Sequence, residues 1–258
     1  MRQIIDEMWN MRNILFNFAI SDIQIRYKSS ALGIIWSLIE PLLLLGVLFF
    51  VFSTLFKFEI PNFPIYLLLG LITWNFFKNS TNFALSSLVN RVPLLTQIYF
   101  PKSIPAISAC LSASIMLIIE LGILGIFMII LGYTPPLTII LLPLVFLMML
   151  AIILGISLPL SVLNVKYRDI EFIWGIIIHA GFFVTPIFYR FDMLPEHIQN
   201  IFQFIPTVQI LTMVHGLTLY GELPSVTTIT YSILMTLIIL GVGYGIFRKL
   251  QARIVEEL

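Results

Sequence analysis

Read from its first residue, the chain sorts into long apolar runs separated by short polar connectors. The runs lie at residues 31–56, 63–88, 105–131, 137–163, 170–189 and 226–247. A helix crossing the hydrocarbon of a bilayer takes about 20 apolar residues, so each run predicts one span. The connectors "KFEIPNFP", "GYTPP" and "NVKYRD" carry the breakers of tight hairpins. Residues 1–20 read differently. Asp6, Asn10, Asn13 and Asn17 follow one helical stripe, and Ile4, Ile5, Met8, Met11, Leu15 and Phe18 follow the other. This pattern predicts an amphipathic helix lying in the membrane interface, with a soluble helix packed on another element as the alternative.

Two connectors are long enough to hold structure. In "NRVPLLTQIYFPKSIP", the connector 90–104 with Pro105 after it, prolines limit any helix to a short one whose apolar content is Leu94, Leu95, Ile98, Tyr99 and Phe100. Over residues 190–225, Pro206 interrupts apolar stretches that Gln199, Asn200, Gln203, Gln209 and His215 make polar. Two short half-inserted helices fit this pattern better than a seventh span.

Composition moves the reading from a generic helical protein to an integral membrane protein. Apolar residues make up 59% of the 258 and charged ones 10%, against roughly a quarter charged in a soluble domain. The charges are also lopsided. With six spans, Arg2, Arg12, Arg26, Lys28, Arg91, Lys102, Lys166, Arg168, Arg248, Lys249 and Arg253 fall on one side, and only Lys57 and Arg190 on the other. The positive-inside rule makes the first side cytoplasmic, with both termini there. A net charge of +1 gives no reason to expect nucleic acid. Asp6 and Glu7 stand where a cleavable leader is cationic, so none is expected. The single cysteine, Cys110, sits in an apolar run and reads as a packing residue.

Four ionisable residues fall inside spans: Glu40, Lys78, Glu120 and His179. Each needs explaining, because a charge at mid-membrane costs about 2.5 to 3.5 kcal/mol even on lenient scales. Glu40 and Lys78 lie at similar depth on adjacent antiparallel spans, roughly 15 Å from the cytoplasmic ends at 1.5 Å per residue, and can pair. The pair either locks spans one and two or lines a polar conduit. Pro41 follows Glu40 and predicts a bend facing protein or water. Glu120 and His179 have no evident partner. Nothing resembles a catalytic or metal-binding cluster: no His-Glu-x-x-His, no Gly-x-Ser-x-Gly, and no phosphate-cradling loop. The expectation is a non-enzyme with no metal or cofactor of its own. Aromatics crowd spans one, two and five, serving as packing and interfacial belts or as stacking faces for sugar rings.

Four short motifs together resemble a known family, the ABC-2 permease subunits of bacterial polysaccharide exporters for O-antigen and teichoic acid. They are "SDIQIRYKSSALGIIWSLIEPLLLL" with Trp36 and Pro41, "IYFPKSIP" at 98–105, "KYRDI" at 166–170 and "TPIFY" at 185–189. The resemblance covers nearly the whole chain. It implies an all-α polytopic membrane domain of six spans, an interfacial N-terminal helix and two half-inserted helices before the last span. It also implies a homodimer in the cytoplasmic (inner) membrane, two copies of a separate ABC ATPase subunit that binds MgATP, and export of a lipid-linked polysaccharide. The ATPase would dock on the loop helix at Leu94, Leu95, Ile98, Tyr99, Phe100 and Lys102. Arg26 and Lys28 would meet the anionic lipid headgroup, unless they are only the cations that membrane topology demands. Trp36, Trp74, Phe182 and Phe183 would line the channel. A drug, haem or simple lipid is the alternative cargo, and an intramembrane enzyme or scaffold the alternative of another class.

Overall fold

A computed structural model describes residues 11–28, 30, 32–55, 60–91 and 100–251. The described residues form a bundle of helices without strands: α1 (Arg12–Tyr27), α2 (Trp36–Phe49), α3 (Phe63–Ser87), α4 (Ser103–Ile130), α5 (Leu142–Lys166), α6 (Ile170–Val184), α7 (Glu196–Phe202), α8 (Pro206–His215) and α9 (Val226–Gln251). Four helical stretches are long and apolar enough to cross a membrane: Gly33–Ser53, Ser103–Ile130, Leu137–Lys166 and Val226–Gln251.

The centre of the bundle is α3. Residues 65–77 are buried without a break, because α3 touches α2, α4, α5, α6 and α8. At 25 residues it is about 37 Å long. It is nevertheless missing from the four, since it carries Asn75, Lys78, Asn79 and Asn82. A helix shielded from lipid by its neighbours is free to carry polar side chains that an outer helix must avoid. The outer helices show the converse. Leu43, Val47, Ile118, Phe172, Ile176 and Leu237 point apolar side chains away from the bundle.

The closest crossing joins α5 to α9. A Cβ on Gly155 would come to 2.6 Å from the Ile239 carbonyl oxygen, and one on Gly243 would overlap the Gly155 carbonyl. The buried residues of α9, Ser232, Thr236, Gly243 and Phe247, form a mostly small stripe along that seam. Between apolar helices in lipid, such stripes let backbones approach and dispersion forces act.

Several boundaries differ from the pattern reading. The first described helix runs on to Tyr27, so "SDIQIRY" is helical and not a connector. It packs Leu15 and Ala19 inward while Phe16, Ile20 and Ile25 stay exposed. Helix α2 continues through Pro41 without interruption. Helix α6 stops at Val184, so residues 185–189 leave the helix, and its 15 residues reach only about 22 Å. Helices α7 and α8 meet at 106°, the angle of a broken or re-entrant segment. Leu94, Leu95, Ile98 and Tyr99, along with residues 1–10, lie outside the described residues.

Candidate functional site

One end of the bundle gathers cations. Arg91, just past α3, donates from Nη1 to Ser108 Oγ at 3.1 Å and from Nη2 to Asp22 Oδ1 of α1 at 2.5 Å. Nη2 also approaches the Phe18 carbonyl at 3.4 Å, and the guanidinium lies 4.1 Å from the Phe18 ring centre. Phe18 in turn meets Phe100 edge-on. The planar fork of arginine suits this multiple grip, which a lysine point charge does not reproduce. Arg26 stacks over Phe83 at 3.1 Å. Arg26, Phe83 and Arg91 line a cavity of about 350 Å³ with Asp22, Asn90 and Ser87. Burial pushes the Asp22 carboxyl above its ordinary range, with Arg91 and Arg26 opposing the shift. Burial likewise lowers Arg91 and Arg26. Two cations against one carboxylate leave the cavity net positive, which suits an anion. Lys28 is exposed and does not line it.

Replacing Arg91 with alanine removes the hook between α1 and α3 and leaves Asp22 without its hydrogen-bonding partner. The expected cost is about 2 kcal/mol, the range for hydrogen bonds to charged groups. A cysteine placed at Leu15, which is buried in the native protein, should then label readily in intact membranes. Labelling as slow as in the Arg91 parent would show that the hook is dispensable.

In mid-bundle, Lys78 Nζ donates to Glu40 Oε1 at 3.2 Å. Lys78 is partly buried, while the Glu40 side chain is 65% exposed among the outward-facing apolar residues of α2. Glu120 of α4 is within electrostatic reach of both, so ionisable groups from three helices converge. Glu120 is buried, and its Oε2 has no hydrogen-bond partner among the described residues. It borders a cavity of about 20 Å³ shared with Arg26, Ser37 and Asn79. It also borders an apolar crevice beside Pro41, Leu68 and Ile72. His179 bonds the carbonyl of its own helix, Gly175, at 2.8 Å.

The opposite end holds a second polar assembly. Gly70 lets residue 187 lie directly on α3, since a Cβ there would sit 2.9 Å from the Ile187 carbonyl oxygen. Tyr66 Oη is 2.7 Å from the Tyr189 carbonyl oxygen and 3.0 Å from that of Pro186. The chain after α6 is thereby pinned to α3. His215 stacks on Tyr66 with ring centres 3.7 Å apart. Its Nε2 is 3.0 Å from the Tyr66 carbonyl oxygen, which fixes the proton on that nitrogen. Beyond His215 the helix widens into a π turn, Gly216–Tyr220. Tyr133 Oη reaches the Leu219 carbonyl at 2.9 Å, and Thr138 Oγ1 donates to that of Leu217 at 2.6 Å. Irregular backbone inside a membrane domain needs such internal partners.

The expected channel aromatics divide. Trp36 and Phe183 are exposed. Phe182 is half-buried, and Trp74 is buried in the core, its indole edge resting where Gly181 has no side chain. Of the expected docking residues, Phe100 is buried beside α1. Lys102 Nζ donates to the Gln251 carbonyl at 2.8 Å, tying the start of α4 to the end of α9. Sequence reading gave no site role to Asp22, Tyr66, Arg190 or Tyr220.

A helical bundle with an apolar exterior, a few ionisable side chains among its apolar helices and a sharply broken helix pair defines a multi-pass membrane protein. Residues 17–219 match the ABC-2 type transporter family, and the chain belongs to that family. It is 30% identical over 238 residues to an O-antigen export system permease protein RfbA of Klebsiella pneumoniae, covering 92% of each chain. A second protein of that name and organism is 29% identical over 92% of each chain. One from Myxococcus xanthus is 24% identical over the full length of both.

Proposed function

We propose that this chain is the membrane subunit of an ATP-driven exporter that moves a polyprenyl-phosphate-linked surface polysaccharide, of the O-antigen or teichoic-acid class, out through the cytoplasmic membrane. The carrying observation is the similarity to O-antigen export permeases over 92% of the chain. In this reading α2, α3, α4, α5, α6 and α9 are six spans, α7 and α8 dip into the outer leaflet, and the cationic end with both termini faces the cytoplasm. Two copies of the chain would meet along the exposed apolar faces of α2 and α6, enclosing a conduit. A separate ABC ATPase would bind MgATP and press on residues 90–104 and on α1.

Within that conduit, Trp36 and Phe183 offer faces on which successive sugars can slide, while Phe182, itself against Trp74, backs Phe183 from the core. Arg26 at the net-positive cavity and Lys28 beyond it would receive the lipid phosphate by charge-assisted hydrogen bonds. Expressed with its ATPase in a permease-deficient cell, the chain should restore surface glycan. Changing Arg26 and Lys28 together to alanine should abolish stimulation of ATPase by lipid-linked glycan in the inserted complex. No glycan at the surface despite an inserted, ATP-hydrolysing complex would overturn the proposal.

A further inference from the structure

The assembly at the outer end encloses a cavity of about 270 Å³ that the transport reading leaves unused. Its walls include Tyr66, Arg190, Asp192, His215, Tyr220 and Glu222. Arg190 is engaged by Asp192 through Nε at 3.0 Å and Nη2 at 2.5 Å, and lies 5.3 Å from the Tyr220 ring centre. We propose that this cavity binds a single uncharged pyranose unit of the exported glycan as it leaves the conduit. The inference rests on the glycan-export reading for the identity of the polymer, but not for the chemistry of the cavity.

Charge decides against an anion. The cavity holds one guanidinium and two carboxylates, Asp192 and Glu222, and the guanidinium already grips one of the carboxylates in bidentate fashion. A phosphate entering would meet net negative charge and would have to displace that pair. A sugar hydroxyl meets no such barrier, since it donates to a carboxylate and accepts from a guanidinium at once. The Asp192 carboxylate, held in plane by Arg190, suits neighbouring ring hydroxyls, and Tyr220 supplies an aromatic wall for the apolar face of the ring.

Size and rigidity point the same way. Drug-sized ligands take pockets of roughly 300 Å³ and upward, so this one is scaled to one ring. Its floor is set before any ligand arrives. Tyr66 and His215 are stacked and bonded to backbone carbonyls. Tyr220 rides on the π turn that Tyr133 and Thr138 hold. At the end of that turn Gly221 adopts φ +68°, a left-handed conformation that side chains disfavour, and this carries the chain on to Glu222.

The test is saturation-transfer NMR on the full chain in lipid nanodiscs, with free glucose, galactose, mannose and N-acetylglucosamine as probes and inorganic phosphate as competitor. Transfer to at least one sugar is expected. It should weaken by about tenfold, equivalent to 1.4 kcal/mol, in Glu222→Gln and in Tyr220→Leu, two partly or fully exposed positions whose variants are checked for monodisperse elution. Phosphate should not compete. No transfer from any sugar, equal transfer in wild type and both variants, or displacement by phosphate would each overturn the proposal. The glycan-restoration assay is scored separately. Restored glycan with unaltered sugar binding in the variants sinks this cavity alone. Lost binding in the variants with no restored glycan leaves the cavity standing and sinks the export reading.

Discussion

Replacing Gly243 with leucine will leave little monodisperse protein, because it forces α9 away from α5 along the tightest seam in the molecule. The Cβ alone would overlap the Gly155 carbonyl, and backbone cannot rotate aside as a side chain can. Overpacking in a close-packed interior typically costs about 1 to 3 kcal/mol, occasionally more. Here the overlap involves main chain on both helices, so the upper end or beyond is expected. The partner substitution Gly155→Leu should act similarly, since its Cβ would lie 2.6 Å from the Ile239 carbonyl oxygen. Leucine at Gly241, on the same helix but with nothing within 4 Å of its Cβ, is the control and should be tolerated. Equal yields and melting temperatures for Gly243→Leu and Gly241→Leu would contradict this account of the seam.

The second large effect concerns the mid-bundle charges. Lys78→Met removes the cation that Glu40 bonds at 3.2 Å and that Glu120 feels, leaving the Glu40 carboxylate on an apolar exterior without the cation it bonds. An unpaired charge at that depth costs about 3 kcal/mol, so the variant should accumulate poorly and melt early in detergent. Adding Glu40→Gln should restore part of the loss. The coupling between the two sites is expected at about 1 kcal/mol or more, as for directly bonded residues. The restoration will be incomplete because Glu120 remains. Strict additivity of the two substitutions would show that the bond carries no energy in the membrane.

The all-helical bundle was legible because lipid imposes a simple rule: each crossing needs a long apolar run, and the chain writes these openly between its hairpin breakers. What lipid does not touch was harder to read. Ile187, Phe188 and Tyr189 extend the apolar run past its helix, and Pro186 was the hint that α6 stops at Val184. The amphipathic stripe ends near residue 20 in the sequence pattern, yet the helix runs on to Tyr27 and brings Asp22 to Arg91. Asp22 and Arg91 are separated by 69 positions, and a single sequence holds no mark of such a partnership. Trp74 reads like any other membrane aromatic. Its burial follows from the place of α3 at the centre, a property of the assembled bundle and not of the local pattern.

The central helix carries a mechanical corollary. Arg91 couples one tip to α1, while Tyr66 and His215 couple the other to the chain after α6 and to α8. A continuous α-helix resists axial compression, so it behaves as a strut. A push on one tip would therefore reach the other as a movement of one rod about 37 Å long, without any relay of side-chain rearrangements between.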